Sequence, residues 1–98
     1  MSSKSYITGE VVRIALSLAN TLGAAVDPGG LLIKVHAAGQ AIVTYTYGVG
    51  IMIVRDALGE YHIDLPLTTT GTWVYRWEFS GANAGANEGS ITVDPGYF

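Results

Sequence analysis

The chain has 98 residues, of which 49% are apolar and only 13% charged. That balance supports one hydrophobic core and excludes intrinsic disorder, which needs low hydrophobicity and high charge. Five Lys and Arg against eight Asp and Glu give a net charge of −3, with no basic patch of the kind a nucleic-acid binder requires. The chain contains no cysteine, which excludes disulfide staples, thiolate metal sites and cysteine nucleophiles.

The N-terminal residues 1–9 are polar and lack the apolar stretch of a secretory signal, so synthesis in the cytoplasm is expected. Residues 37–54 carry no charge over 18 positions, which invites comparison with a membrane span. Gly39, Gly48 and Gly50, with many β-branched residues, argue against a helix there. Two short strands fit better, and no membrane insertion is expected.

The elements that follow are strands. Val12, Ile14, Leu16 and Leu18 alternate with Arg13 and Ser17. Residues 20–30 gather Asn, Thr, glycines, Asp27 and Pro28, a loop composition. Leu31, Ile33 and Val35 alternate with Lys34 and His36. A turn at Gly39-Gln40 leads to Val43, Tyr45 and Tyr47, alternating with Thr44 and Thr46. Residues 51–54 form a short apolar run. After Gly59, Tyr61, Ile63, Leu65 and Leu67 alternate with Glu60, His62 and Asp64. Trp73, Tyr75, Trp77 and Phe79 then share one face of a strand, a spacing no helix can reproduce. Their alternation with Arg76 and Glu78 makes that face the inward one. A polar stretch, 80–89, precedes a last strand around Ile91 and Val93.

About seven short strands with turn signals every 8–12 residues predict an all-β, antiparallel sandwich occupying residues 1–98 as one domain. Residues 1–8 and 95–98 are expected to be tails, flexible or in contact with a partner. The run Leu65-Pro66-Leu67-Thr68-Thr69-Thr70-Gly71-Thr72-Trp73 has the layout by which immunoglobulin-type sandwiches cross between sheets, with Trp73 where those domains place a tyrosine.

Several stretches carry a family resemblance: Gly9-Glu10-Val11-Val12-Arg13, Val26-Asp27-Pro28, Tyr45-Thr46-Tyr47-Gly48 and Ile53-Val54-Arg55-Asp56. Gly59 to Leu67, Gly71-Thr72-Trp73-Val74-Tyr75-Arg76-Trp77-Glu78 and Glu88-Gly89-Ser90-Ile91-Thr92-Val93 extend it across residues 6–94. In these the chain resembles the small immunoglobulin-like proteins encoded among the virion structural genes of tailed bacteriophages and prophages. The resemblance implies an immunoglobulin-like sandwich, made in the host cytoplasm and residing in the virion as a capsid decoration or head–tail component. It implies no catalysis and no cofactor. Its partners would be the major capsid or head–tail proteins, with the chain itself a homo-oligomer or bound to a lattice. The loops 21–25 and 82–87 and the tail 94–98 fall outside the resemblance.

Candidate chemistry is sparse. His62 and Asp64 share a strand face at a spacing that can direct two ligands at one metal, with Glu60 or His36 as a third. A solvated outer sheet face accounts for the same pattern, and no bound metal is expected. No Gly-x-Ser-x-Gly elbow accompanies the Ser, His and Asp present. Gly48-Val49-Gly50 is followed by a strand and reads as a hairpin or bulge, not a phosphate loop.

Contact surfaces are better marked. Val11, Leu32, Ile42, Met52, Val54 and Val74 are apolar yet out of phase with the inward positions of their strands. In so small a domain some must be exposed, and exposed apolar patches mark protein contacts. Ile42, Met52 and Val54 are therefore candidate contacts. Gly81, Asn83 and Asn87 join them from the Gly-Ala-Asn-rich loop expected to be mobile. Tyr97 and Phe98 complete the set as an aromatic anchor beyond Asp94-Pro95-Gly96. Three functions remain open: a virion structural protein, a module binding a host-surface glycan or another ligand, and an enzyme.

Overall fold

Trp77 and Ile63 mark the two halves of the core. Both are fully buried, and each sits at the centre of a different sheet. The computed structural model describes residues 4–81 and 84–95. Eight strands run in the order β1 (Lys4–Ile7), β2 (Val11–Ser17), β3 (Gly30–His36), β4 (Val43–Thr46), β5 (Ile53–Ala57), β6 (Glu60–Pro66), β7 (Gly71–Ser80) and β8 (Gly85–Asp94). One sheet has the order β1-β8-β7-β3-β4 and the other β2-β6-β5. The chain crosses between sheets from β1 to β2, from β2 to β3, from β4 to β5 and from β6 to β7, so hairpins alone do not connect it. This is an all-β, immunoglobulin-like sandwich.

Alternation produces the core. Val12, Ile14 and Leu16 of β2, with Leu65, Ile63 and Tyr61 beside them on β6, form one side of the core, and Leu31, Ile33, Val35, Trp73, Trp77, Ile91 and Val93 of the other sheet form the opposite side. Tyr75 and Phe79 are half-buried against them, so the aromatic row of β7 points inward as its periodicity predicts. The β6–β7 corner is closed by Trp73, whose indole N–H donates to the Thr69 carbonyl at 3.0 Å. Trp73 thus does with an indole what a corner tyrosine does with a hydroxyl.

Two expectations need correction. Lys4–Ile7, expected to be tail, forms β1 and pairs parallel with Ile91–Asp94 of β8. Four residues are too few to show a period, but Tyr6 packs on the core and so draws the segment into the sheet. The stretch 80–89, expected to be a mobile loop, is mostly strand, with Gly85 to Gly89 paired against Phe79 to Tyr75. Its small residues lack side chains of their own to pack, and the aromatics of β7 supply them. The rings of Phe79 and Tyr75 lie across Gly85 and Gly89, where added Cβ atoms would overlap them. Such cross-strand covering of glycine by an aromatic is a known way to stabilise a glycine-bearing strand.

Candidate interaction surface

Charge on this surface is largely self-neutralised. Arg13 forks onto Asp64 of the neighbouring strand at 2.9 and 3.1 Å, which raises the guanidinium pKa and lowers that of the carboxylate. On the other sheet, Lys34 and Arg76 flank Glu78 at 3.2 and 3.0 Å, and Lys34 chiefly holds its carboxyl below the ordinary range. Arg76 also reaches Glu88 at 2.8 Å.

Asp27 is the most connected of these groups. It accepts from Arg55 at 2.9 Å, from the Gly59 N–H at 2.8 Å and from the Tyr61 hydroxyl at 3.0 Å. The Arg55 hydrogen bond and then the Gly59 N–H hold its pKa down, whereas burial and then Asp27 push that of Tyr61 up. This cluster ties the 18–29 loop to the β5–β6 turn. Gly59 (φ +74°) suits the turn because a Cβ there would press within 2.6 Å of the Leu18 carbonyl.

His62 departs from the expected solvated face. It is 7% exposed, with Nδ1 2.6 Å from Asp56 and Nε2 3.8 Å from Asp64. It lies on the central strand of its sheet, opposite Ala15 on one side and Val54 on the other, so neighbours cover it from both directions. His36 is on the other sheet beside Lys34, facing outward, and cannot join it. Among the described residues no three His, Asp or Glu converge as metal ligands.

The apolar surplus is concentrated. Of the twelve large hydrophobics exposed among the described residues, seven are Ile42, Val43, Tyr47, Val49, Ile51, Met52 and Val54. All belong to the charge-free segment 37–54, which forms edge strand β4, a crossing and the start of β5. Tyr6, Val12, Ile14 and Ile91 line one cleft, placing β2 beneath β1 and β8. Edge strands β4 and β5 therefore share the opposite side of the sandwich. Just past β4, Tyr47 sets its ring edge-on to Tyr61 of β6 at 5.2 Å.

Met52 and Val54 flank buried Ile53 at the start of β5, with Val54 on the outer face opposite His62, whereas Ile42 (61% exposed) lies on the outer face of the other sheet beside Lys34, His36 and Val74. Val74 is exposed next to Ile42, Val11 is exposed elsewhere, and Leu32 is half-buried. Gly81 is exposed near the β7–β8 tip with φ +103°. Asn87 belongs to β8 opposite Trp77 and is not a mobile-loop residue. Asn83, Tyr97 and Phe98 lie outside the described residues. Periodicity missed Val43, Tyr47, Val49 and Ile51 because it assigned the first two inward and the last to a strand. The absence of charge over 37–54 was the signal that marked them.

No family model matches the chain, and no curated protein matches it. Among solved structures it is similar to one described as a "putative glycoside hydrolase from Bacteroides vulgatus ATCC 8482", with a TM-score of 0.62 and 18% identity. The likeness is one of fold. It covers 97% of this chain and 17% of that one, so the sandwich corresponds to a small part of a much longer protein. No helix among the described residues is long and apolar enough to cross a membrane.

Proposed function

We propose that this chain is a non-enzymatic structural protein of a tailed-phage particle, an immunoglobulin-like capsid decoration or head–tail component that works by protein–protein contact. The observation that carries the reading is the charge-free apolar edge formed by 37–54, on a domain whose charged groups mostly pair with one another. Such an edge is suited to a protein neighbour and poorly suited to nucleic acid or a charged substrate. The family resemblance supplies the particle. Mass spectrometry of purified particles tests it: a decoration protein is expected in hundreds of copies and a head–tail protein in about a dozen or fewer. Absence of the chain from particles would overturn the reading.

A second reading, a module that binds glycan or another ligand, is favoured by the similarity to part of a chain described as a glycoside hydrolase. Tyr47 is the large exposed aromatic among the described residues and the natural stacking platform for a sugar. A glycan-array signal abolished by Tyr47→Ala would support this reading over the first.

A further inference from the structure

We propose that the free edge of β2 is a strand-addition site. There an extended segment of a partner protein, apolar at alternate positions and acidic opposite Arg13, pairs with the three-stranded sheet. This goes beyond the particle reading and does not depend on it.

The two sheets end in four strands, and three of these are blunted. β1 and β4 have four residues each, and β5 breaks register between Arg55 and Ala57. Short strands and bulges are common protections of a sheet edge. β2 is the exception. It runs seven residues, Val11–Ser17, in unbroken register with β6, and it holds no lysine, proline or bulge.

The hydrogen-bond phase shows what this edge offers. The Leu18 N–H donates to the Gly59 carbonyl at 2.8 Å, and the Leu67 N–H to the Glu10 carbonyl at 2.9 Å. Even-numbered residues of the strand therefore turn their main chain toward β6, and odd-numbered ones away from it. Val11, Arg13, Ala15 and Ser17 thus present their N–H and carbonyl groups at the free edge. All four residues are exposed, and no loop among the described residues hydrogen-bonds their main chain. An added strand recovers those bonds, which is how sheet edges recognise extended peptides.

The surroundings of the edge select the occupant. A cleft of about 280 Å³ has Arg13 and Ala15 along one wall and Tyr6, Tyr75 and Ile91 of the other sheet across from them. β1 pairs with β8 only from Ile91 to Asp94, so it leaves the earlier half of β8 uncovered on this side. The cleft is small for a small-molecule pocket, but it lies where an added strand turns every second side chain inward. A second copy of this chain fills it poorly, because Val12, Ile14 and Leu16 of that copy are committed to its own core. A segment that belongs to no sheet has its side chains free. On the outer face, Arg13 meets Asp64 of β6 at 2.9 Å on one side. The position across from Arg13 on an added strand favours a second carboxylate.

Amide exchange of the full chain, read residue by residue by nuclear magnetic resonance, tests this. The probe is the nonapeptide Lys-Val-Thr-Val-Glu-Val-Thr-Val-Lys, whose valines face inward when its glutamate lies beside Arg13. In the free chain the amides of Val11, Arg13, Ala15 and Ser17 should exchange fast, and those of Val12, Ile14 and Leu16 slowly. The peptide should protect the first set, with a dissociation constant of about a millimolar or tighter. Lysine in place of its glutamate should weaken binding about fivefold. Ala15→Pro removes an N–H that β6 does not use, so it should keep the far-ultraviolet spectrum and weaken binding at least about tenfold. Slow exchange of all seven amides in the free chain would overturn the proposal, and protection that grows with chain concentration would do so by assigning the edge to a second copy. So would a peptide that leaves the four amides unprotected at several times that concentration, or one that protects β4 or β8 instead. Equal binding of the glutamate and lysine peptides would overturn the acidic preference even if the proline variant does not fold.

Discussion

Gly89→Ala tests whether Tyr75 stands in for the side chain that β8 lacks. Gly89 is buried on β8, directly opposite Tyr75 of β7. A Cβ at this position overlaps the Tyr75 hydroxyl and two ring carbons. Forcing an extra methyl into a packed site costs about 1–3 kcal/mol. Replacing glycine by alanine within a strand returns about 0.5–1 kcal/mol of backbone entropy, leaving a net loss of about 1–2 kcal/mol. In a Tyr75→Ala background the obstruction is gone, and the same substitution should be neutral or stabilising by about 0.5–1 kcal/mol. The double-mutant cycle should therefore show a coupling of about 2 kcal/mol. Urea unfolding followed by Trp73 and Trp77 fluorescence resolves this, since a domain of this length is stable by about 5–10 kcal/mol. Additive effects within about 0.5 kcal/mol would refute the covering role of Tyr75.

Other outcomes follow from the same geometry. Trp77→Ala should cost about 3–5 kcal/mol. Trp77→Phe should cost distinctly less, because it also removes an indole N–H that is buried without an acceptor; thermal melts separate the two. Trp73→Phe should lose about 0.5–1.5 kcal/mol with the corner hydrogen bond to Thr69, over and above its change in volume. Asp27, Asp64 and Glu78 all have carboxyl pKa values lowered by folding. Their contribution is present above the unfolded values and lost as pH falls through the folded ones, so urea midpoints should drop below about pH 4. Asp27→Asn should flatten part of that drop.

Alternation made most of the architecture legible, because a strand with one face in a core records its burial at every second residue. Val12 to Leu16, Leu31 to Val35 and Trp73 to Phe79 are read directly in this way, and the Trp73 corner follows from its place after Gly71. Elements that draw their stability from a neighbour were not legible. β1 depends on β8, and the first half of β8 depends on the rings of Tyr75 and Phe79, so neither carries a pattern of its own. β4 misled for the opposite reason. Val43 and Tyr47 alternate as core residues do, yet an edge strand lacks a second neighbour to cover them. His62 shows the same effect reversed, a polar residue buried because both its neighbours are present. Of the candidate contacts, Ile42, Met52 and Val54 were legible as out-of-phase residues. Their division between the outer faces of the two sheets was not, because it depends on which strands end each sheet.

The parallel pairing of β1 with β8 also decides how the molecule carries force. β1 begins beside Ile91, and both strands end together, with Ile7 opposite Asp94. Tension applied between Lys4 and Asp94 pulls the two strands lengthwise in opposite senses. The backbone hydrogen bonds joining them are then loaded together in shear, and slipping one strand past the other requires several to break at once. A pull that opened the β7–β8 hairpin from its tip would instead break its bonds one after another. The four residues of β1 thus act as a mechanical clasp, and a neighbour that tugs on this domain along its length meets resistance there before the core is strained.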